Sequence, residues 1–350
     1  MTLFALDLGN RQVKMMDEKK LKTFPSYFMD AEELGDRETL NALKDGAKTS
    51  DYVSSKDPDF TYVWGPNLEV DNREVIETNR FDGRYSATEF AVLTDLAIAE
   101  MAKGNEDATE GILKVDIVTG MPTSDSMRES TIKDMLATLG GDHHISIDGK
   151  PHNIRVSTVT PLPQPVGTLL NEIIDDSYEM IESPLSSATV GITDVGGGTL
   201  LIDVVQKLNL DTDTRKQSEH GAFSLYDDII REMNKLGHNA NRAEIESSLR
   251  SQNSSGAYAW SYDGVNEIDI TEIVMKQRKR YTRRVISQMN SVYKGYDRYY
   301  EILITGGGAN LLVREELLKA IPKARIIENS ESANVRGFYK YGMMRAKVNG

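Results

Sequence analysis

Cysteine is absent from these 350 residues. That excludes a disulfide framework, a thiolate metal site and a cysteine nucleophile. No run of about 18 apolar residues occurs, so no segment reads as a membrane-spanning helix. The opening Met-Thr-Leu-Phe-Ala-Leu-Asp carries no basic stretch ahead of its apolar residues and does not read as a secretory signal. Positive charge is also short, with a formal net charge of −13. Lys and Arg that neutralise phosphates supply most of the affinity of a direct DNA binder. Direct nucleic-acid binding is therefore not expected, and an action on DNA would need a basic adaptor. These absences together predict a cytoplasmic chain with no membrane attachment.

Hydrophobic residues make up 39% of the chain, enough for packed cores. The length exceeds one ordinary core and predicts two domains. Residues 2–8 read as a strand. Polar stretches around 30–60 and 66–90 read as surface loops and short helices. Residues 87–102 carry apolar side chains at helical spacing, with Ser86 as a cap. A short buried strand is expected at 115–119 and a helix at 124–139, stopped by Gly140-Gly141. Asp148-Gly149 marks a hairpin turn between 145–147 and 152–159. Prolines at 161, 163 and 165 forbid helix until Val166, after which a helix is expected to 181. Strands at 188–195 and 199–207 flank a triple glycine. Helices follow at 223–236, 242–250 and 270–293, then a strand at 302–305 and a helix at 313–320. The basic run Lys276-Gln277-Arg278-Lys279-Arg280, with Arg283 and Arg284, reads as a solvated helix face or as a contact for an acidic partner or another copy.

Three glycine-bearing turns carry the chemistry. In Asp7-Leu8-Gly9-Asn10-Arg11-Gln12-Val13-Lys14, a strand delivers Asp7 to its end and Gly9 leaves room for a phosphate against the backbone. Asn10 adds a short polar side chain, and Lys14 can lie over oxyanions. In Asp194-Val195-Gly196-Gly197-Gly198-Thr199, three glycines between apolar strands are costly in folding entropy. A phosphate oxygen is the usual reason for so bare a backbone, and Thr199 can add a hydroxyl. Carboxylates at the roots of both turns, Asp7 and Asp194, suit Mg²⁺ held through water. The third turn, Thr305-Gly306-Gly307-Gly308-Ala309-Asn310-Leu311, follows a strand as nucleotide loops do. It has neither the P-loop pattern nor the full dinucleotide spacing. The segments also echo one another: Leu-Asp-Leu-Gly at 6–9 and Ile-Val-Thr-Gly at 117–120 match Thr-Asp-Val-Gly at 193–196 and Leu-Ile-Thr-Gly at 303–306. A duplicated domain would give this pattern.

The order of the three turns, with Gln164 held among prolines before the second, resembles the actin-like ATPase superfamily. Within it the chain is similar to the ParM (StbA) plasmid-segregation actins of Gram-positive plasmids. Ala5–Asn10 with Val13-Lys14, Val118–Pro122, Pro163–Leu170 and Ile304–Asn310 with Asn334–Gly337 carry the likeness. The resemblance implies an α/β, actin-like fold of two domains, 1–163 plus 332–350 and 164–331, around a nucleotide cleft. It implies ATP as the nucleotide, with GTP possible, and Mg²⁺ as cofactor near Asp7 and Asp194. Phosphates are then held by Asp7, Gly9, Asn10, Arg11 and Lys14 and by Gly196, Gly197, Gly198 and Thr199. Gly306, Gly307, Gly308 and Asn310 form the adenosine loop. Gln164 matches the place from which the family orients water, with Asp194 as the second catalytic residue. Glu246 and Arg250, one helical turn apart, are candidates for the base, but the spacing reads first as a surface ion pair. The resemblance further implies filaments of the chain with itself. A small basic DNA-binding adaptor on a centromere-like site would then couple them to plasmid segregation. The segments around 30–60 and 207–220 fall where such proteins build contacts. A small-molecule kinase or other non-filament ATPase of the same fold is the alternative.

Overall fold

The computed structural model describes residues 2–34, 49–66, 68, 74–78, 83–251 and 256–349. The chain forms two compact units, Met1–Ile181 with Asn334–Gly350 and Glu182–Ala333. No helix among the described residues is long and apolar enough to cross a membrane.

Unit 1 is built on one sheet. Its strands are β1 (Thr2–Leu8), β2 (Gln12–Met16), β3 (Leu21–Pro25), β4 (Tyr27–Asp30), β5 (Ser50–Ser54), β6 (Asp57–Trp64), β7 (Ile76–Glu77), β8 (Leu113–Met121), β9 (Gly141–Ile147) and β10 (Lys150–Pro163). They lie in the order β3-β2-β1-β8-β10-β9-β5-β6-β4-β7. The helices are α1 (Thr88–Ala102), α2 (Glu106–Glu110), α3 (Thr123–Ser126), α4 (Glu129–Leu139) and α5 (Gln164–Ile173). β1 runs parallel to β8 and β8 to β10. β1 is buried along Leu3–Leu8, apolar but for Asp7, as a central strand requires, whereas β2 alternates.

Several expectations change here. The stretch expected as surface loops contains the β5–β6 hairpin, whose Tyr52, Tyr62 and Trp64 are buried. The rest of those polar stretches lies partly outside the described residues. Ser86 does not cap α1; its hydroxyl donates back to the Gly83 carbonyl, and Ala87 stands at the N-cap. Extended backbone at Arg128 (φ −104°, ψ 112°) divides the helix expected at 124–139 into α3 and α4. The prolines do not delay the next helix. β10 continues through Pro161 and Pro163, which pair with Thr119 and Met121 of β8. Its pairing with β9 ends at Val156, so the missing N–H groups cost no ladder bond on that side. α5 then starts at Gln164, with Pro165 in its tolerant first turn. It stops at Ile173 rather than 181, and an Ile174–Met180 bridge follows.

A fully buried polar network ties four elements of unit 1 together. The Ser54 hydroxyl donates to Asp95 of α1 at 2.5 Å, and His143 Nδ1 lies 2.6 Å from the other Asp95 oxygen. His143 Nε2 is 3.0 Å from the Leu139 carbonyl. A carbonyl only accepts, so Nε2 carries a hydrogen.

Unit 2 has β11 (Thr189–Val195), β12 (Leu200–Gln206), β13 (Asn209–Ser218), β14 (Ala259–Ser261), β15 (Glu267–Asp269), β16 (Glu301–Thr305) and β17 (Ala324–Ile326). Its helices are α6 (Ala222–Lys235), α7 (Arg242–Arg250), α8 (Thr271–Tyr293) and α9 (Arg314–Ala320). The main sheet runs β13-β12-β11-β16-β17, with β14-β15 as a separate ribbon. β11 is antiparallel to β12 and parallel to β16, as β1 is to β2 and β8. The echo in the sequence is therefore a repeated five-strand arrangement, with β3-β2-β1-β8-β10 as its first copy.

The last helix, α10 (Ala333–Asn349), returns the chain to unit 1. It crosses α5 where Gly337 meets the Gly167 backbone, and a side chain at either position would collide. The Thr168 hydroxyl donates to Asn334 Oδ1 at 2.6 Å. This packing keeps α5 with unit 1, so the chain leaves that unit after Ile181 rather than near 163.

Candidate functional site

In unit 1, β1 and β2 meet in a tight hairpin. Leu8 pairs with Val13, leaving Gly9–Gln12 as the turn. The same register sets Asp7 opposite Lys14, with Nζ 3.9 Å from the carboxylate and both side chains largely buried. Gln164, first residue of α5, donates from Nε2 to Asp7 Oδ1 at 3.3 Å. Gly120 of β8 lies under it: a Cβ there would sit 3.3 Å from Gln164 Cγ and would strike Phe338. Asp7, Lys14 and Gln164 thus converge although 157 positions separate the first and last. Arg11 lies over the Tyr27 ring at 5.8 Å, and its carbonyl accepts from Ser26 N–H at 3.0 Å. Asn10 is exposed at the tip.

The support of this turn is a residue that sequence reasoning missed. Arg84 is buried, and its Nη2 donates to the carbonyls of Leu8 at 2.9 Å and Gly9 at 3.2 Å. Its Nε donates to the Thr78 carbonyl at 3.1 Å, and the guanidinium stacks 4.9 Å from the Phe90 ring centre. Burial pushes its pKa below the usual arginine value. Nothing near Arg84 in the sequence signals a partner 75 positions away.

In unit 2 the corresponding turn is Gly196–Thr199, between Val195 and its partner Leu200. Gly196 N–H donates across it to the Thr199 carbonyl at 2.9 Å. The start of α6 takes up the glycine carbonyls: N–H groups of Gly221, Ala222 and Phe223 donate to Gly198, Gly196 and Gly197 at 3.3, 2.9 and 2.8 Å. The first amides of a helix have no partner within it, and here the loop supplies one. With the carbonyls held, the N–H groups of Gly197, Gly198 and Thr199 donate to no group among the described residues. Successive unbonded amides form an anion-binding concavity. Gly221 permits the approach, since a Cβ there would lie 2.5 Å from the Gly197 oxygen. At Gly198 a Cβ would meet nothing within 4 Å.

The third turn packs on the second. Gly306, at φ +85°, sits against Asp194 Oδ1 and 2.5 Å, measured from an added Cβ, from the Val195 carbonyl. Gly308 approaches the same carbonyl, at 2.9 Å by the same measure. Gly307–Leu311 forms a short 3-10 turn, not foreseen in the sequence. Its end carbonyls are held by Arg278, which donates to Asn310, Leu311 and Leu312 at 3.2, 2.8 and 3.4 Å and to the Tyr258 hydroxyl at 2.6 Å. Arg284 pairs with Asp228, and Arg283 with Glu316 at 3.3 Å. The basic run is thus only partly a solvated face. Glu246 and Arg250 form an i,i+4 ion pair at 3.2 Å, and Arg250 also holds Glu331 at 3.1 Å. The Glu331 hydrogen bond leads the causes that raise the Arg250 pKa. Glu331 would lie 3.6 Å from a Cβ at Gly307, so this ion-pair chain links α7 to the third turn.

The doubled sheet, each copy carrying a glycine hairpin at the end of its central strand, is the architecture of actin-like folds. Among solved structures, the apo psk41 ParM protein superposes with a TM-score of 0.75 at 21% identity, covering 100% of this chain and 99% of that one. An archaeal actin homolog in complex with ADP gives 0.76 at 16% identity, covering 100% of both. A 15-stranded ParM filament from Clostridium botulinum gives 0.73 at 20%, covering 98% and 99%. No curated protein sequence matches the chain. Residues 5–167 match the family of actin like proteins through its N terminal domain, and residues 189–337 match the Alp7A C-terminal domain. The two matches follow one another over most of the sequence, and the chain belongs to the actin-like protein family.

Proposed function

We propose that this chain is a nucleotide-dependent, filament-forming actin-like protein that hydrolyses ATP or GTP. In this reading its filaments segregate plasmid DNA through a small basic DNA-binding adaptor on a centromere-like site. The observation that carries the reading is the Gly196–Thr199 hairpin, whose three glycine carbonyls are taken by the start of α6 and whose Gly197, Gly198 and Thr199 amides are open to an anion. The ADP bound to the archaeal homolog and the assembled state of the Clostridium botulinum protein support it.

The amides of Gly197, Gly198 and Thr199 bind phosphate oxygens. Lys14 offsets phosphate charge, beside Gly9, Asn10 and Arg11. Gln164 orients the attacking water. A glutamine is no base, but phosphoryl transfer depends mainly on positioning and electrostatic stabilisation. Mg²⁺ fits the donors present. No cluster of three or more acidic or histidine side chains suited to a metal occurs among the described residues, and Mg²⁺ keeps several waters while using one or two carboxylates. Asp7 and Asp194 would hold it through water, and it would neutralise charge on the phosphates. Gly306, Gly307, Gly308 and Asn310 border the nucleoside, with Glu246 and Arg250 behind them.

The purified protein with Mg-ATP or Mg-GTP should release phosphate slowly, and faster above the concentration at which light scattering and sedimentation rise. Asp194→Ala should lower hydrolysis at least roughly tenfold, as loss of an electrostatic stabiliser does, with the thermal transition retained. Background phosphate release while filaments are visible would reject the hydrolase assignment. A nucleotide-bound monomer at every salt concentration, with adaptor present, would reject the filament.

A further inference from the structure

The acidity of the chain is unevenly shared. Residues 182–333 contain 19 Lys and Arg against 21 Asp and Glu, a formal −2, and the remaining residues contain 22 against 33, a formal −11. Unit 2 moreover gathers cations in one recess of about 440 Å³, lined by Asp213, Arg215, Lys216, Ser291, Lys294 and Arg298 among others. The recess lies between β13, an edge strand of its sheet, and the last turn of α8.

Two of the cations there are held in place. Lys216 Nζ donates to Ser291 Oγ at 3.0 Å. Arg298 donates to the Tyr299 hydroxyl at 2.6 Å and stacks 5.0 Å from that ring. Lys294 terminates α8 in a left-handed conformation. Lys294 and Arg298 are exposed. None of these residues belongs to the turns assigned to nucleotide.

We infer that this recess docks an acidic surface of unit 1 from a second copy of the chain. The inference rests on the filament reading above and adds to it the surface and the force. A basic adaptor would be repelled by four cations, whereas unit 1 of another copy offers the complementary sign. Its α2 alone exposes Glu106, Asp107 and Glu110. A contact that joins unit 2 of one copy to unit 1 of the next is heterologous, and repeated without closure it produces an open polymer. Charge complementarity also offsets the general repulsion of a chain at −13 and fixes the polarity of assembly.

The test compares wild type with Lys294→Glu/Arg298→Glu and with the charge-preserving Lys294→Arg/Arg298→Lys, by sedimentation in Mg-ATP across salt. The reversal should raise the assembly threshold about tenfold, since like charges placed across an interface are strongly disfavoured. The charge-preserving variant should assemble as wild type does, and both should keep wild-type nucleotide affinity. The reversal leaves the unit 1 surface intact, so a small admixture should bind wild-type ends and terminate growth. A misfolded variant would not poison wild type in this way. If wild type assembles and the reversal does so at the same threshold, the proposed surface is wrong while the filament reading stands. Loss of assembly in the reversal without any poisoning of wild type also overturns the polarity proposed. If wild type itself never assembles, the filament reading falls and takes this inference with it.

Discussion

The hairpin turns of the two units have the same register and length but are supported in different ways. At Gly9–Gln12 a side chain does the holding: one buried guanidinium takes the carbonyls of Leu8 and Gly9. At Gly196–Thr199 the backbone does it: the three amides that open α6 take the carbonyls of Gly196, Gly197 and Gly198. Both devices turn carbonyls inward, as a loop must if its amides are to meet an anion. The copies have therefore kept a requirement and exchanged the means. A side-chain support can be deleted by one substitution, whereas a backbone support is open to damage only where space is short.

That contrast can be broken from either side. The largest effect is expected for Arg84→Ala. It leaves the buried carbonyls of Leu8 and Thr78 and the half-buried one of Gly9 without their donor, at a cost of roughly 3 kcal/mol, since each orphaned buried group costs about 1–3. Denaturant unfolding should show the loss, and nucleotide affinity should fall with it. Unchanged stability would mean that water replaces the guanidinium and that Arg84 is not the support. Next comes Gly221→Ala, whose methyl would first meet backbone atoms of the glycine turn, the nearest at 2.5 Å. Such overpacking costs about 1–3 kcal/mol, and it should weaken nucleotide binding by displacing the turn. Titration with a fluorescent nucleotide checks this, and wild-type affinity would show that the turn yields without consequence. The smallest change in stability belongs to Gly198→Ala. No atom of the described residues lies within 4 Å of the methyl, so stability should hold or rise by about 0.4–1 kcal/mol through the unfolded state. Nucleotide affinity should nonetheless fall, because the methyl crowds the amide face. Equal affinity would separate Gly198 from phosphate binding.

The same contrast explains what the sequence disclosed. Glycines at strand ends and the repeated Asp-x-Gly pattern are local signals, and they located both turns and the doubled sheet. The convergence of Gln164 on Asp7 followed only from likeness to a family, since no local rule joins residues 157 apart. Arg84 was hidden because it lies in a polar stretch and its partners are main-chain atoms, which leave no trace in composition. The β5–β6 hairpin was hidden for a related reason. Its buried Tyr52 lies beside Asp51, and Tyr62-Val63-Trp64 is an apolar run of only three residues, too short to stand out against the charge around it. Helix ends fared worst. Pro165 was read as a barrier to helix but occupies a first turn, where its missing N–H has no partner to lose. Arg278 shows the opposite error: a charge within a basic run reads as solvated, yet its guanidinium closes the end of a 3-10 turn.

The return of α10 to unit 1 has a consequence for the order in which the protein takes shape during synthesis. Leu3, Ala5 and Val118, translated before unit 2, are covered by Val335, Phe338 and Tyr339, which leave the ribosome only after all of unit 2. Unit 2 lies entirely between those points, so all its strands and helices emerge while unit 1 still lacks one wall of its core. The later unit can therefore finish first. Until α10 arrives, that face of β1 and β8 stays uncovered, an apolar strand surface of the kind that recruits chaperones or mispairs with a neighbouring nascent chain.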